Sequence, residues 1–273
     1  MPPVRIPATV LSCLLATGAS AQDFVFADNF EPVTALRLTD LDLRDPHVYV
    51  DAIVSCLDAT DTPLLGFSLN ASIQTQIETD ADGDGLLDAS FMQLFRPLAT
   101  AGSGRVDVTS AACLAPQSAT ACVRDPGQPV QVRSYTTSAT DTCLAPPAGS
   151  VRPYTPAVAL PAPPCWRSDT QDTTLDLAGI AVPARAVTFA ATFAGAPVTL
   201  QNGLISAFVR EADADAALLP ASLPLVGGRP LSSILPGGTG SCAAHDDRDL
   251  FEGESGWWFH LNYTAVTVPW SGG

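Results

Sequence analysis

Residues 257–264 read WWFHLNYT. Trp257, Phe259, Leu261 and Tyr263 take every second position, and the positions between them hold Trp258 and then the polar residues His260, Asn262 and Thr264. A period of two residues is typical of a β-strand that turns one face toward a core. We therefore predict a strand over residues 257–268.

The same alternation recurs along most of the chain, between turns rich in the 24 prolines and 20 glycines. Short alternating stretches bounded by such turns favour antiparallel strands over long helices. Strands are predicted within residues 33–54, 67–77, 89–95, 106–108, 130–132, 174–180 and 186–193.

One helix is predicted, over residues 203–219. Asn202 is a suitable cap, Pro220 a suitable stop, and apolar residues such as Leu204 and Phe208 recur between them at spacings of three and four. Strands both precede and follow this helix. The sequence therefore predicts a mainly β fold, an antiparallel β-sandwich with one packed α-helix.

The amino terminus has the layout of a secretory signal peptide over residues 1–21. Arg5 precedes a short apolar stretch, and the small residues 19–21 form a cleavage site before Gln22. An uncleaved, membrane-tethered form and a lipoprotein attached through Cys13 are the alternatives. Residues 22–273 are then expected to form a single β-rich domain.

Within that domain, residues 98–171 stand out as a proline- and cysteine-rich excursion.

No stretch after the signal is long and apolar enough to insert into a membrane. We therefore expect a secreted, periplasmic or cell-surface protein. Residues 26–31, FADNFE, also resemble a short Phe-x-Asp-Gly-Phe-Glu signature of exported bacterial proteins, with Asn29 in place of Gly.

Acidic residues outnumber basic ones by 28 to 13 in the 273-residue chain, and every basic residue is an arginine. A strongly acidic surface repels nucleic acid and anionic lipid, so neither is an expected partner. Such a surface suits cations. A glycan or another surface protein remains a possible further partner.

Removal of the signal peptide leaves six cysteines, which in an exported chain predict up to three disulfides. The tetrapeptide Cys-Leu-Ala-Pro occurs twice, at 113–116 and 143–146, and one further cysteine follows each copy. About fifteen pairings are possible in principle. The repeat favours Cys113–Cys122 and Cys143–Cys165, which leaves Cys56–Cys242.

Residues 80–88, DADGDGLLD, carry the strongest chemical signal. Calcium binds six to eight oxygen atoms, and carboxylates at loop positions 1, 3, 5 and 9 with a carbonyl at position 7 supply them. Gly85 at position 6 permits the sharp turn. The predicted ligands are the side chains of Asp80, Asp82, Asp84 and Asp88 and the backbone carbonyl of Leu86.

This loop resembles both the EF-hand loop and the calcium loops of integrin FG-GAP repeats. An EF-hand carries a bidentate glutamate at position 12, where this chain has Phe91. The flanks are predicted to be strands, so the FG-GAP type is the nearer resemblance. A single copy covers nine residues and implies a structural calcium ion, with no propeller.

A second acidic segment surrounds His245, Asp247, Asp249 and Glu252 and precedes the Trp257-Trp258 pair. Such a loop is able to bind a second cation or to supply an acid and a base, and a tryptophan is able to stack on a sugar ring. The sequence holds no zinc, nucleophile-elbow or nucleotide motif. We predict a non-catalytic, secreted calcium-binding protein, with a secreted hydrolase that uses residues 245–254 as the alternative.

Overall fold

The computed structural model describes residues 32–272, apart from residues 53, 54, 65, 120 and 178 and the side chains at 176 and 177. The signal peptide predicted over residues 1–21 lies outside the described residues. Pro32–Gly273 is one compact unit.

Eight antiparallel strands close into a barrel. These strands are β1 (Thr34–Asp45), β4 (Phe91–Arg96), β5 (Ser103–Cys113), β7 (Gln131–Ser138), β8 (Cys165–Ser168), β10 (Ile180–Ala194), β11 (Thr199–Arg210) and β13 (Glu254–Val268). Their order around the barrel is β1, β13, β11, β10, β8, β7, β5 and β4, and β4 pairs again with β1.

Shorter elements decorate this barrel. They are β2 (Tyr49–Asp51), β3 (Cys56–Asp58), α1 (Leu69–Glu78), β6 (Cys122–Arg124), β9 (Gln171–Leu177), α2 (Glu211–Ala216), the 3₁₀ turn Leu231–Ile234, β12 (Asp249–Phe251) and β14 (Trp270–Ser271). Strand β9 extends the barrel wall as a hairpin with β10, β12 pairs with β13, and β14 pairs with β6.

Strand β13 confirms the alternation from which the fold class was predicted. Trp257, Phe259, Leu261 and Tyr263 are buried in the main apolar core. Their register partners include Val209, Ala207, Ile205 and Gly203 on β11 and Leu43 and Leu41 on β1. One face of β13 therefore joins two neighbouring walls of the barrel to a common core.

Two glycines make room for tyrosine rings on neighbouring strands. Gly203 lies opposite Tyr263, and Gly104 lies opposite Tyr135. A Cβ atom at Gly203 would stand 2.5 Å from the Tyr263 ring, and one at Gly104 would stand 2.7 Å from the Tyr135 ring. Each ring lies over a neighbouring backbone that carries no side chain, an arrangement that shields the glycine.

The mainly β prediction is confirmed, but the sandwich is wrong. Strands β5 and β7 pair directly over Ser103–Val108 and Gln131–Thr136, and this pairing closes one continuous sheet upon itself. The alternation of side chains indicates which face of a strand is buried. It is the same for a sandwich and a small barrel, because both have one inner and one outer face.

The strand predicted over residues 67–77 is wrong, because this segment contains the helix α1. Leu69, Ile73 and Ile77 are buried and lie four residues apart, a spacing that satisfies both a strand period and a helix turn. Ser68 favours the helix, since its Oγ accepts a hydrogen bond from the Ala71 N–H at 3.4 Å as the N-cap.

The helix predicted over residues 203–219 is also wrong. Most of its apolar stripe belongs to strand β11, and only the six-residue helix α2 follows. Every residue from Gly203 to Val209 is buried, because the outer face of β11 is also covered: Leu204 packs with Leu144 and Ala190. A strand buried on both faces reads as a continuous apolar run and loses its alternation.

All three predicted disulfides are present: Cys56–Cys242, Cys113–Cys122 and Cys143–Cys165. The range 98–171 contributes β5, β6, β7 and β8, so much of it is barrel wall. Its proline-rich part lies between Cys143 and Cys165 and contacts the outside of β13, where Ala159 and Asn262 exchange two hydrogen bonds of 2.8 and 2.9 Å.

Candidate functional site

The acidic loop at residues 80–88 connects α1 to β4. The flank before it is a helix and the flank after it a strand, so the prediction of strands on both sides is half correct. An isolated bridge joins Leu86 to Leu114, next to the Cys113–Cys122 disulfide. The hydrogen bonds around this bridge use the Leu87 N–H and the Gly85 carbonyl, which leaves the Leu86 carbonyl out of the pairing.

Two glycines shape this loop. Gly83 and Gly85 have φ angles of +79° and +88°, in the left-handed region that residues with a Cβ rarely adopt. The turns bring three N–H groups onto one carboxylate: Asp80 accepts from Gly83 at 2.7 Å, from Asp84 at 3.0 Å and from Gly85 at 2.8 Å. The loop is therefore folded around Asp80.

Desolvation raises the pKa of Asp80, but the N–H donors of Gly85, Gly83 and Asp84 together outweigh it and lower the pKa below its usual range. The carboxylate is thus held in its ionised form, which is the form that binds a metal ion.

Three of the predicted ligands come together. Carboxylate oxygens of Asp80, Asp82 and Asp88 all lie within 4.8 Å of one another. Asp84 stands apart from this group, because its Oδ1 accepts the Leu86 N–H at 2.8 Å. Within the described part of the chain, no other group of three acidic, histidine or cysteine side chains has this geometry.

The loop borders an open depression of about 610 Å³. Asp82, Asp84 and Asp88 lie on its wall and are exposed, and Gln76 and Asp125 approach from neighbouring elements. A cation therefore reaches the carboxylates directly from solvent, and water molecules are able to complete its coordination.

The second acidic segment is organised by arginines. Asp247 and Asp249 both pair with Arg152, at 3.4 and 3.2 Å, and Glu252 lies 3.7 Å from Arg185. These guanidinium groups already neutralise the negative charge that would otherwise bind a cation. The structure therefore does not assemble His245, Asp247, Asp249 and Glu252 into a second metal centre.

A partly buried polar cluster lies beside this segment, and the sequence reasoning missed it. Tyr154 stacks on His47 with ring centroids 3.8 Å apart, donates a hydrogen bond to Asp247 and contacts His245 Nε2 at 2.8 Å. Burial, followed by the hydrogen bond to Asp247, raises the pKa of Tyr154. Tyr154 lies more than ninety residues from Asp247 in sequence, so no local pattern links them.

Asp45 adjoins this cluster and accepts the Arg152 N–H at 2.5 Å. Burial raises the pKa of Asp45 to about 7, with a further rise from the charge of Asp247 and an opposing effect of the Arg152 hydrogen bond. The cluster thus holds a carboxyl group that titrates near neutral pH.

Trp257 and Trp258, for which sugar stacking was one possibility, are both buried. Trp257 is fully enclosed and donates its Nε1–H to the Pro236 carbonyl at 2.8 Å. Trp258 packs on Phe208 and Phe251 and borders a cavity of about 250 Å³. Asp249 lines this cavity, but neither His245 nor Glu252 does. This cavity therefore does not join His245 or Glu252 to Trp258.

No helix among the described residues has the length and apolar character required to cross a membrane. Comparison of the chain with family models, curated proteins and solved structures finds no match. The loop and the barrel are therefore interpreted from their own geometry.

Proposed function

We propose that this is an exported protein that binds one calcium ion at residues 80–88. The observation that carries the proposal is the convergence of the Asp80, Asp82 and Asp88 carboxylates within 4.8 Å, in a loop with two left-handed glycines. Carboxylates this close repel one another unless a cation lies between them. The exposed loop and its hard oxygen donors suit calcium.

The role we assign to the ion is structural. The loop joins α1 to the barrel and contacts the hairpin closed by Cys113–Cys122. An ion held there fixes α1, the barrel and this hairpin relative to one another. We assign the protein a non-catalytic role in binding or at the cell surface. Export is supported by three disulfides, which form in oxidising compartments.

The test is calcium titration of the mature protein by calorimetry, with thermal unfolding in calcium and in chelator. We expect one ion per chain, with a dissociation constant of about 0.1–1 mM and a gain of about 1–2 kcal/mol in stability at millimolar calcium. Asp82→Ala should lower the melting temperature in calcium but leave it unchanged in chelator.

Asp141→Asn is the matched control, because it removes an exposed carboxylate that accepts a hydrogen bond from Thr140 and does not line the depression beside the loop. It should retain calcium binding. The proposal fails if native protein binds no ion at millimolar calcium, or if Asp82→Ala shifts the melting temperature equally in both conditions.

A further inference from the structure

A cavity of about 300 Å³ opens at one end of the barrel, beside the β9–β10 hairpin. Its deep part is formed by buried side chains of the barrel interior, and its rim by exposed residues. Leu38, Gln93, Phe189 and Ile205 are buried, whereas Gln128, Thr174 and Ala181 are exposed. The cavity therefore extends from solvent into the barrel.

The walls of this cavity follow from strand register. Gln93, Val108 and Gln131 lie directly opposite one another across β4, β5 and β7. Phe189 and Ile205 lie opposite each other on β10 and β11. Pleated strands direct such partners to the same side of a sheet. Two walls thus face one space, and none of the sixteen residues that line it is charged.

A buried arginine lies next to this lining but outside the cavity. Arg133 lies 4.9 Å from the centroid of the Phe189 ring but does not line the cavity. Its guanidinium donates to the carbonyls of Asp169 and Val187 and to the side chain of Gln131. An uncharged occupant matches this environment, because an ion would lose its hydration without a partner.

Gln93 supplies an independent sign of a ligand. Its side chain is 1% exposed, and its Nε2 donates to the Tyr263 hydroxyl at 3.1 Å. Its Oε1 has no hydrogen-bond partner among the described residues. Since the Tyr263 hydroxyl can both donate and accept, either orientation of the amide leaves one polar atom free. Gln93 therefore offers a ligand in this cavity one hydrogen-bonding atom that no described protein group uses.

We propose that this cavity binds one small, neutral, mainly apolar molecule whose single hydrogen-bonding group pairs with Gln93. Ligand sites are concave, largely apolar and carry few polar groups, and the mouths of eight-stranded barrels are frequent locations. The volume is about twice that of an apolar cavity of about 150 Å³ that holds benzene. The occupant is therefore of the size of two rings or a short acyl chain.

The first experiment uses N-phenyl-1-naphthylamine, a neutral fluorescent probe with two ring systems and one N–H. We expect saturable binding at one site per chain. Val108→Trp fills the cavity from its wall and should weaken binding by about tenfold or more. Val132→Trp is the matched control, because Val132 adjoins this wall but is 50% exposed and does not line the cavity.

Thermal unfolding monitors whether each variant folds. Thr174→Phe narrows the exposed rim and provides the same test if Val108→Trp does not fold. The proposal is overturned if the native protein shows no saturable binding, or if the cavity variants and Val132→Trp bind the probe equally well.

The second experiment tests the role of Gln93 with a matched pair of ligands. In 1-benzylnaphthalene a CH₂ group replaces the N–H of the probe, and its affinity is measured by displacement. Gln93→Met keeps the length of the side chain but removes its hydrogen-bonding atoms. It should weaken the amine by about threefold or more while leaving the hydrocarbon within about twofold. Equal effects on both ligands would overturn the assignment of Gln93.

Discussion

His260 illustrates how burial alone sets the ionisation of a residue. It lies on the outer face of β13, stacks parallel to Trp258 and contacts Ser150 Oγ at 3.0 Å. Its side chain is fully enclosed, and burial lowers its pKa from 6.5 to about 4. The folded protein therefore holds a neutral imidazole at pH values where the unfolded chain binds a proton.

The resulting pH dependence has a definite sign. The contribution of His260 is complete above pH 6.5 and is lost as the pH falls toward 4, because protons then favour the unfolded state. In His260→Phe, the decrease in the free energy of unfolding over this pH range should be smaller by about 3 kcal/mol. The measurement is the free energy of unfolding in urea at about pH 7.0 and at about pH 4.5, close to the two ends of the pH range over which His260 changes stability.

Asp45 provides the matched variant, because its titration changes stability with pH in the opposite direction to that of His260. Its folded pKa of about 7 lies above the ordinary 3.8, so the folded state retains a proton between these values and gains stability as the pH falls. Asp45→Asn should therefore steepen the acid-induced loss of stability, whereas His260→Phe should flatten it. Identical pH profiles for the two variants would contradict this account.

Helix α1 shows how one polar side chain attaches an element to the barrel. Asn70 is 5% exposed, and its Oδ1 accepts the Leu43 N–H at 2.8 Å while its Nδ2 donates to the Leu43 carbonyl at 3.0 Å. These bonds satisfy both backbone groups of one β1 residue. The attachment also positions the start of the acidic loop, because α1 ends at Glu78.

Removal of this side chain should destabilise the protein. Asn70→Ala leaves two buried backbone groups of Leu43 unpaired, and we expect a loss of about 3 kcal/mol in the free energy of unfolding. Thr75→Ala on the exposed side of α1 is the control and should change stability by less than about 0.5 kcal/mol. Equal losses in the two variants would show that Asn70 does not anchor the helix.

At the scale of the whole molecule, the Cys56–Cys242 disulfide closes a loop of 186 residues, whereas Cys113–Cys122 closes one of nine. Restriction of the unfolded chain increases with loop length. Replacement of both Cys56 and Cys242 by serine should lower stability by about 5 kcal/mol, against about 3 kcal/mol for the Cys113 and Cys122 pair. Urea unfolding of both double variants measures the difference, and a larger loss for the shorter loop would contradict it.

The sequence by itself determined the features that depend on neighbouring residues. The period of two in β13, the frequent turns and the repeated Cys-Leu-Ala-Pro segments led to the mainly β class and to all three disulfides. The spacing of Asp80, Asp82 and Asp88 likewise led to the acidic cluster. These signals survive in the sequence because most of the residues involved lie within one short segment. The exception is Cys56–Cys242, which joins residues 186 apart and was inferred as the pair left after the repeat had assigned the other four cysteines.

Only the tertiary structure decided the features that depend on distant residues. The β5–β7 pairing closed the barrel, and the covered outer face of β11 removed its alternation. Packing of Leu69, Ile73 and Ile77 into the core accompanied a helix at α1, where the strand and helix periods coincide. The Tyr154 contacts and the cavity at Gln93 join strands far apart in the chain. Burial on a second face and closure of a sheet are properties of the packed chain, so no local period encodes them.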